Sequence, residues 1–367
     1  MHTAGEAVHD QQAGERYGIK VKNKWCVTAA AVFMAVLLSG CGKSAEDHID
    51  EGMEMIAALE YDNALSSFQA AREAGEDERL ILRGEGLAYM GKTMYAEAAE
   101  AFEKTLDLSD GRIGALDYDI NYYLATAYYK QDEKDKAIAV YNAITGLEKG
   151  ACDAYYLRGV IYAEQGKLEE AKADFDKAIA LNSTDYDRLI DIYGVLASEG
   201  YREVGQEYLQ AAMDAGTKNM TNYEKGRICY YLEDYENART YLEKARDESG
   251  YEAVLFLGKT YETLGDNNYA ISVYNTYLES GNTSPQVLNQ LGLCKMQTGD
   301  YQGALTAFQT AMNIEDNGMM QTLKMNEIIA YEYLGEYKQA AVLMGSYLKT
   351  YPDDQQAQRE NTFLKSR

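Results

Sequence analysis

Small, aromatic and polar positions return along this chain with a fixed spacing. In GVIYAEQGKLEEAKADFDKAIAL, starting at Gly159, a small residue is followed by Tyr at +3, Gly at +7, a bulky residue at +9, Ala at +12, an aromatic at +16 and Ala at +19. Counted from Gly292, the same offsets reach Lys295, Gly299, Tyr301, Ala304, Phe308 and Ala311. The +12 residues are Ala64, Ala98, Ala137, Ala171, Gly205, Ala238, Ala270, Ala304 and Ala340, separated by 34, 39, 34, 34, 33, 32, 34 and 36 residues. Nine units therefore follow one another. Positions +12, +16 and +19 share one stripe of a helix, where alanines admit a neighbouring helix and the aromatic fills the gap between units. Glycine at +7 predicts the left-handed residue that ends the helix before it. Each unit reads as helix-turn-helix and the class is all-α. No such unit buries its apolar face alone, so stability comes from stacking and the ends need polar caps. QQAQRENTFLKSR, residues 355–367, is predicted to be the capping helix.

A period of 34 with this small-and-aromatic pattern resembles the tetratricopeptide repeat (TPR), over residues 45–354. The resemblance implies a right-handed superhelical solenoid of about nine units. Three features depart from the family pattern. The tryptophan typical of the first helix never appears, proline near a unit's end survives only as Pro352, and Gly205 stands where Ala is usual. The five extra residues between the second and third units fall in DLSDGRIGALDYD, whose glycines predict a longer connection.

Ahead of the repeats, Lys20, Lys22 and Lys24 precede thirteen residues, CVTAAAVFMAVLL from Cys26 to Leu38, in which Thr28 is the only clearly polar side chain. A positive segment, a short apolar core and small residues at its end make a secretion signal over residues 1–40, and the core is too short for an ordinary membrane-spanning helix. Leu38-Ser39-Gly40-Cys41 resembles the lipobox of bacterial lipoproteins. It implies a diacylglyceryl group on the Cys41 thiol and cleavage before that residue, leaving residues 41–44 as a short linker on the outer face of the cell membrane. Two acyl chains make such an anchor stable, where one gives only marginal binding. Residues 1–20 add little that a signal needs, so translation is expected to start at the Val21 codon.

The signal holds 4 of the 35 Lys+Arg and 3 of the 59 Asp+Glu, leaving 31 against 56 and a formal charge of −25. Such acidity disfavours nucleic acid and lying flat on an anionic bilayer. Besides Cys41, the mature chain has Cys152, Cys229 and Cys294, too few and too scattered for a disulfide framework.

Catalytic chemistry is scarcely represented. His48 is the one histidine of the mature chain, and no calcium-loop pattern occurs, so neither metal nor cofactor is expected. GLAYMGKT, from Gly86, fits the phosphate-loop spacing, yet it falls on the second unit's first helix rather than between a strand and a helix. An enzyme working through carboxylates alone has no pair singled out for it.

What offers chemistry is the stripe at −3, +1 and +4 from the small residue, which in the TPR family faces the concave groove. It carries Tyr122, Thr126 and Tyr129; Tyr156, Val160 and Ala163; Tyr223, Arg227 and Tyr230; Leu255, Lys259 and Glu262; and Asn289, Leu293 and Met296. Tyrosine gives contact area at modest entropic cost plus a hydroxyl, which suits peptide capture; packing between units is its other use. The lysine-and-asparagine clamp of some family members is only echoed by Arg227, Lys259 and Asn289. The expected partner is a protein or peptide gripped by Tyr122, Tyr156, Tyr223, Arg227, Tyr230, Lys259 and Asn289, with work inside an envelope or secretion assembly as the alternative.

Overall fold

A computed structural model describes residues 48–109, 111–246 and 250–366. The signal segment, Cys41 and its linker lie outside the described residues. Nineteen α-helices and one 3-10 turn, with no strand, make up the regular structure among the described residues. They divide after Gly205 into two compact units.

The first unit contains α1 (His48–Ala57), α2 (Tyr61–Ala74), α3 (Glu78–Gly91), α4 (Tyr95–Asp107), α5 (Ala115–Lys130), α6 (Lys134–Leu147), α7 (Cys152–Glu164), α8 (Leu168–Leu181) and α9 (Tyr186–Ser198). The division falls within α10 (Arg202–Asp214). The second unit continues with α11 (Asn222–Tyr231), α12 (Tyr235–Ala245), α13 (Gly250–Thr263), α14 (Asn267–Glu279), α15 (Pro285–Thr298), α16 (Tyr301–Met312), α17 (Met320–Tyr333), α18 (Tyr337–Thr350) and α19 (Gln355–Leu364). Within each unit, helices pack as antiparallel hairpins, and a first helix such as α3 or α13 also touches the first helix of the next hairpin.

The repeat spacing explains the packing. Ala64, Ala98, Ala137, Ala171, Ala238, Ala270, Ala304 and Ala340 are all fully buried, and the +16 residues Phe68, Phe102, Phe175, Tyr274 and Phe308 are buried beside them. The small residue opposite is small for lack of room. A Cβ built on Gly159 would stand 2.7 Å from the Phe175 ring, and one on Gly226 would stand 2.5 Å from Leu242. In the fifth repeat the sizes are exchanged: Tyr193 fills the small position, and a Cβ on Gly205 would lie 3.0 Å from its ring. Gly205 is thus the partner of a large residue rather than a defect.

The GLAYMGKT match is settled by this geometry. Gly86 lies inside α3, Lys92 caps that helix and pairs with Asp62, and Thr93 forms the turn. No strand precedes it among the described residues, so no phosphate cradle forms. At the other end, Asp354 caps α19 by accepting from the Ala357 N–H at 2.9 Å, and Ala357 and Leu364 bury against Ile328, Met344 and Tyr347.

Candidate functional site

The first-helix stripe is divided between the two compact units. In the first unit Tyr122 on α5 is half-buried with its ring centroid 6.3 Å from that of Tyr141, and burial, followed by the charge of Asp153, pushes its hydroxyl pKa up. Tyr156 on α7 packs 6.2 Å from Phe175. Over its ring, at 4.5 Å, lies the guanidinium of Arg188 from α9, which also holds Asp153 at 2.6 Å. Arg188 lies off the chosen stripe, five residues before the small position, so the sequence pattern did not single it out.

In the second unit the stripe is denser. Tyr223 meets Phe256 edge-on at 6.2 Å, and the guanidinium of Arg227 stands over both rings, 5.1 Å from Tyr223 and 5.6 Å from Phe256. Tyr230 makes edge contacts at 5.6 Å with Tyr231, Tyr235 and Phe256. Burial pushes its hydroxyl up to about 12, so it is a neutral donor at physiological pH. All six residues are half-buried, each keeping part of its surface open. Phe256 is the centre of the group, yet at −2 it sits one position beside the stripe and was missed for that reason. Lys259 is exposed on α13 at the offset that Arg227 holds on α11.

Two expected neighbours behave otherwise. Asn289 is buried, and its side-chain oxygen accepts from Asn326 Nδ2 at 2.8 Å, so it ties α15 to α17 and presents little to a ligand. Glu262 is half-buried and accepts from Tyr274 Oη at 2.7 Å and from Gln290 Nε2 at 3.0 and 3.1 Å. Burial holds its carboxyl above the usual range despite these donors. Glu224 spends its carboxylate on the Thr221 N–H at 2.6 Å, closing a capping box at the start of α11.

The three described cysteines are free thiols whose surroundings favour the protonated form. Burial pushes Cys229 up to about 11, and burial followed by the Glu262 charge pushes Cys294 higher still. Cys152, half-buried, donates to the Ala178 carbonyl at 3.3 Å. No group of three metal-ligating side chains forms among the described residues.

Helical hairpins in series, with aromatic and cationic side chains along their first helices, define a scaffold of helical repeats suited to protein–protein contact. Family models described as Tetratricopeptide repeat match residues 49–113, 84–151 and 223–285, residues 152–185, and residues 285–317. Together they cover more than half of the sequence, and the chain belongs to the tetratricopeptide-repeat family. It is 24% identical over 253 residues to a TPR repeat-containing protein of Methanocaldococcus jannaschii, covering 65% of this chain and 43% of the relative. It is 29% identical over 160 residues to the BBSome complex member bbs-4 of Caenorhabditis elegans, covering 41% and 35%. The chain thus spans less than half the length of these relatives. Among solved structures, a tetratricopeptide repeat protein from Parabacteroides merdae is 14% identical with a TM-score of 0.44, covering 68% of this chain and 98% of that one. YrrB, described as a TPR protein with an unusual peptide-binding site, is 25% identical with a TM-score of 0.37, covering 48% and 89%.

Proposed function

We propose that this chain is a lipid-anchored, extracytoplasmic TPR protein that captures a protein or peptide and holds it at the membrane. The group of Tyr223, Arg227, Tyr230 and Phe256 carries the binding half of this reading. A guanidinium backed by two ring faces is held in place before a ligand arrives, and its planar fork suits a carboxylate. Half-buried aromatics around it supply the desolvated area from which binding energy comes. Lys259 gives the second cation, so the favoured ligand segment carries an acidic side chain or a C-terminal carboxylate. The anchoring half rests on the apolar run ending in Leu38-Ser39-Gly40-Cys41.

The paired change Arg227→Ala with Lys259→Ala tests the site. Capture of the partner from detergent-solubilised membranes should weaken about tenfold or more, about 1.4 kcal/mol. Stability should fall by no more than about 1 kcal/mol, the scale of the lost cation–π contacts. Unchanged affinity in the double variant rejects the site.

A second reading, a subunit within a larger envelope or secretion assembly, is favoured by the names of relatives. One is the BBSome member above, and another is Anaphase-promoting complex subunit 3 of Schizosaccharomyces pombe, 22% identical over 225 residues, covering 53% of this chain and 34% of the relative. Native sizing of solubilised membranes separates the two: one partner at a time fits the first, a stable high-mass assembly the second.

A further inference from the structure

The +4 position of the seventh repeat is Glu262 on α13, and that of the ninth is Glu332 on α17. Glu262 is matched by Gln290, which lies 28 residues further on and gives its amide N–H to the carboxylate. The residue 28 positions beyond Glu332 is Glu360. Gln290 is the sixth residue of α15, and Glu360 is the sixth residue of α19. The terminal helix therefore sits on the ninth repeat as a repeat's first helix sits on the one before it. At the shared contact point, however, an acid replaces the amide.

That replacement changes the chemistry of docking. Gln290 brings a hydrogen with it, whereas two ionised carboxylates have none to share and repel each other. The carboxyls of Glu332 and Glu360 face each other at hydrogen-bonding range, and Oε1 of Glu332 is buried with no donor among the described residues. Among the described residues Glu360 is the one charged group acting on Glu332, and none of Lys324 and Glu327 of α17, Lys338 and Lys349 of α18 or Arg359 of α19 offsets it. A further tie at the start of α19, from Tyr347 Oη to Asp354 Oδ2 at 2.7 Å, stays intact through neutral pH. Burial, followed by the hydrogen bond its hydroxyl donates to Asp354, lifts the tyrosine to about 12, while Asp354, although burial opposes it, is held below the usual range by N–H and hydroxyl donors.

We infer that α19 is a proton-held latch: one proton shared between Glu332 and Glu360 secures it on the ninth repeat, and its loss releases the helix and uncovers the apolar end that Ala357 and Leu364 close. Burial first, then the Glu360 charge, raises Glu332 to about 8. A raised carboxyl contributes stability that is complete below the ordinary carboxylate range and lost as pH rises through the folded value, so α19 is docked in acid and loosens above about pH 8.

Amide hydrogen exchange on the full chain tests this, with labelling times corrected for the intrinsic pH dependence of exchange. Protection of residues 355–364 should fall at least about tenfold between about pH 6.5 and about pH 9.5, while that of α15 and α16 stays constant. Glu360→Gln restores the Gln290 arrangement and should leave α19 equally protected at both values. Glu332→Gln should do the same from the other side. Equal protection of the wild type at both pH values overturns the latch, as does a Glu360→Gln chain that remains as pH-sensitive as the wild type.

Discussion

At the residue scale, the most consistent feature is the backbone at +7 of every repeat. Gly166, Gly200, Gly265, Gly299 and Gly335 have φ between 71° and 85°, and in the other four repeats Leu59, Thr93, Asp132 and Glu233 adopt φ of 60° to 64°. A side chain in this left-handed region costs about 1–2 kcal/mol, and a β-branched one is the least at ease there. Thr93 is exposed, so little packing is lost with its side chain. Thr93→Gly should raise stability by about 1 kcal/mol, the relieved strain being partly offset by the greater freedom of an unfolded glycine. A higher urea midpoint with an unchanged slope is the expected record, and a lower midpoint would show that the turn is not strained. Five of these turns were legible as glycines. The other four were not, because nothing in Leu, Thr, Asp or Glu announces a positive φ; only the repeat register does.

Elements are joined by size complementarity and by buried polar ties. Gly159 on α7 accepts the Phe175 ring of α8, and the backbone carbonyl of Ala171 would lie 3.3 Å from an added Cβ. Gly159→Ala must push α7 and α8 apart, and overpacking of this kind costs about 1–3 kcal/mol. Thermal unfolding should show the loss, and a variant as stable as the wild type would mean the ring swings aside freely. Beside that contact Arg158 grips Asp174 with two bonds of 2.7 and 2.6 Å and reaches Asn142 and Thr145 of α6 at 2.6 and 2.9 Å. This tie locks α6, α7 and α8 together. It escaped the sequence pattern because its members lie on different elements at unrelated offsets.

Across the whole molecule, acids outnumber bases, and tyrosine makes up part of the shortfall in donors. Hydroxyls of Tyr261 and Tyr274 donate to Glu243 and Glu262 at 2.7 Å each, and Tyr128 and Tyr129 donate to Glu103 and Glu164. A phenol satisfies a carboxylate without adding charge. Ligand contact and inter-repeat packing therefore share the tyrosines with a third use, carboxylate pairing. At this scale the proposed anchor also has its test. Cys41→Ala should leave a larger precursor that takes up no labelled fatty acid. Continued labelling and mature mobility would dismiss the lipobox reading.

The sequence by itself determined the helical class, the repeat register and the buried alanine stripe, because those depend on side-chain size at fixed offsets along one helix. It also placed Tyr223, Arg227 and Tyr230 on one stripe of α11, a matter of helical period alone. Only the tertiary structure decided what that stripe meets. Phe256 arrives from α13 to back the guanidinium, Arg188 arrives from α9 to cover Tyr156, and Asn289 turns to Asn326 instead of outward. Such partners come from neighbouring hairpins, and which side chains face each other there depends on how the hairpins are stacked, a quantity that no spacing within a single helix encodes.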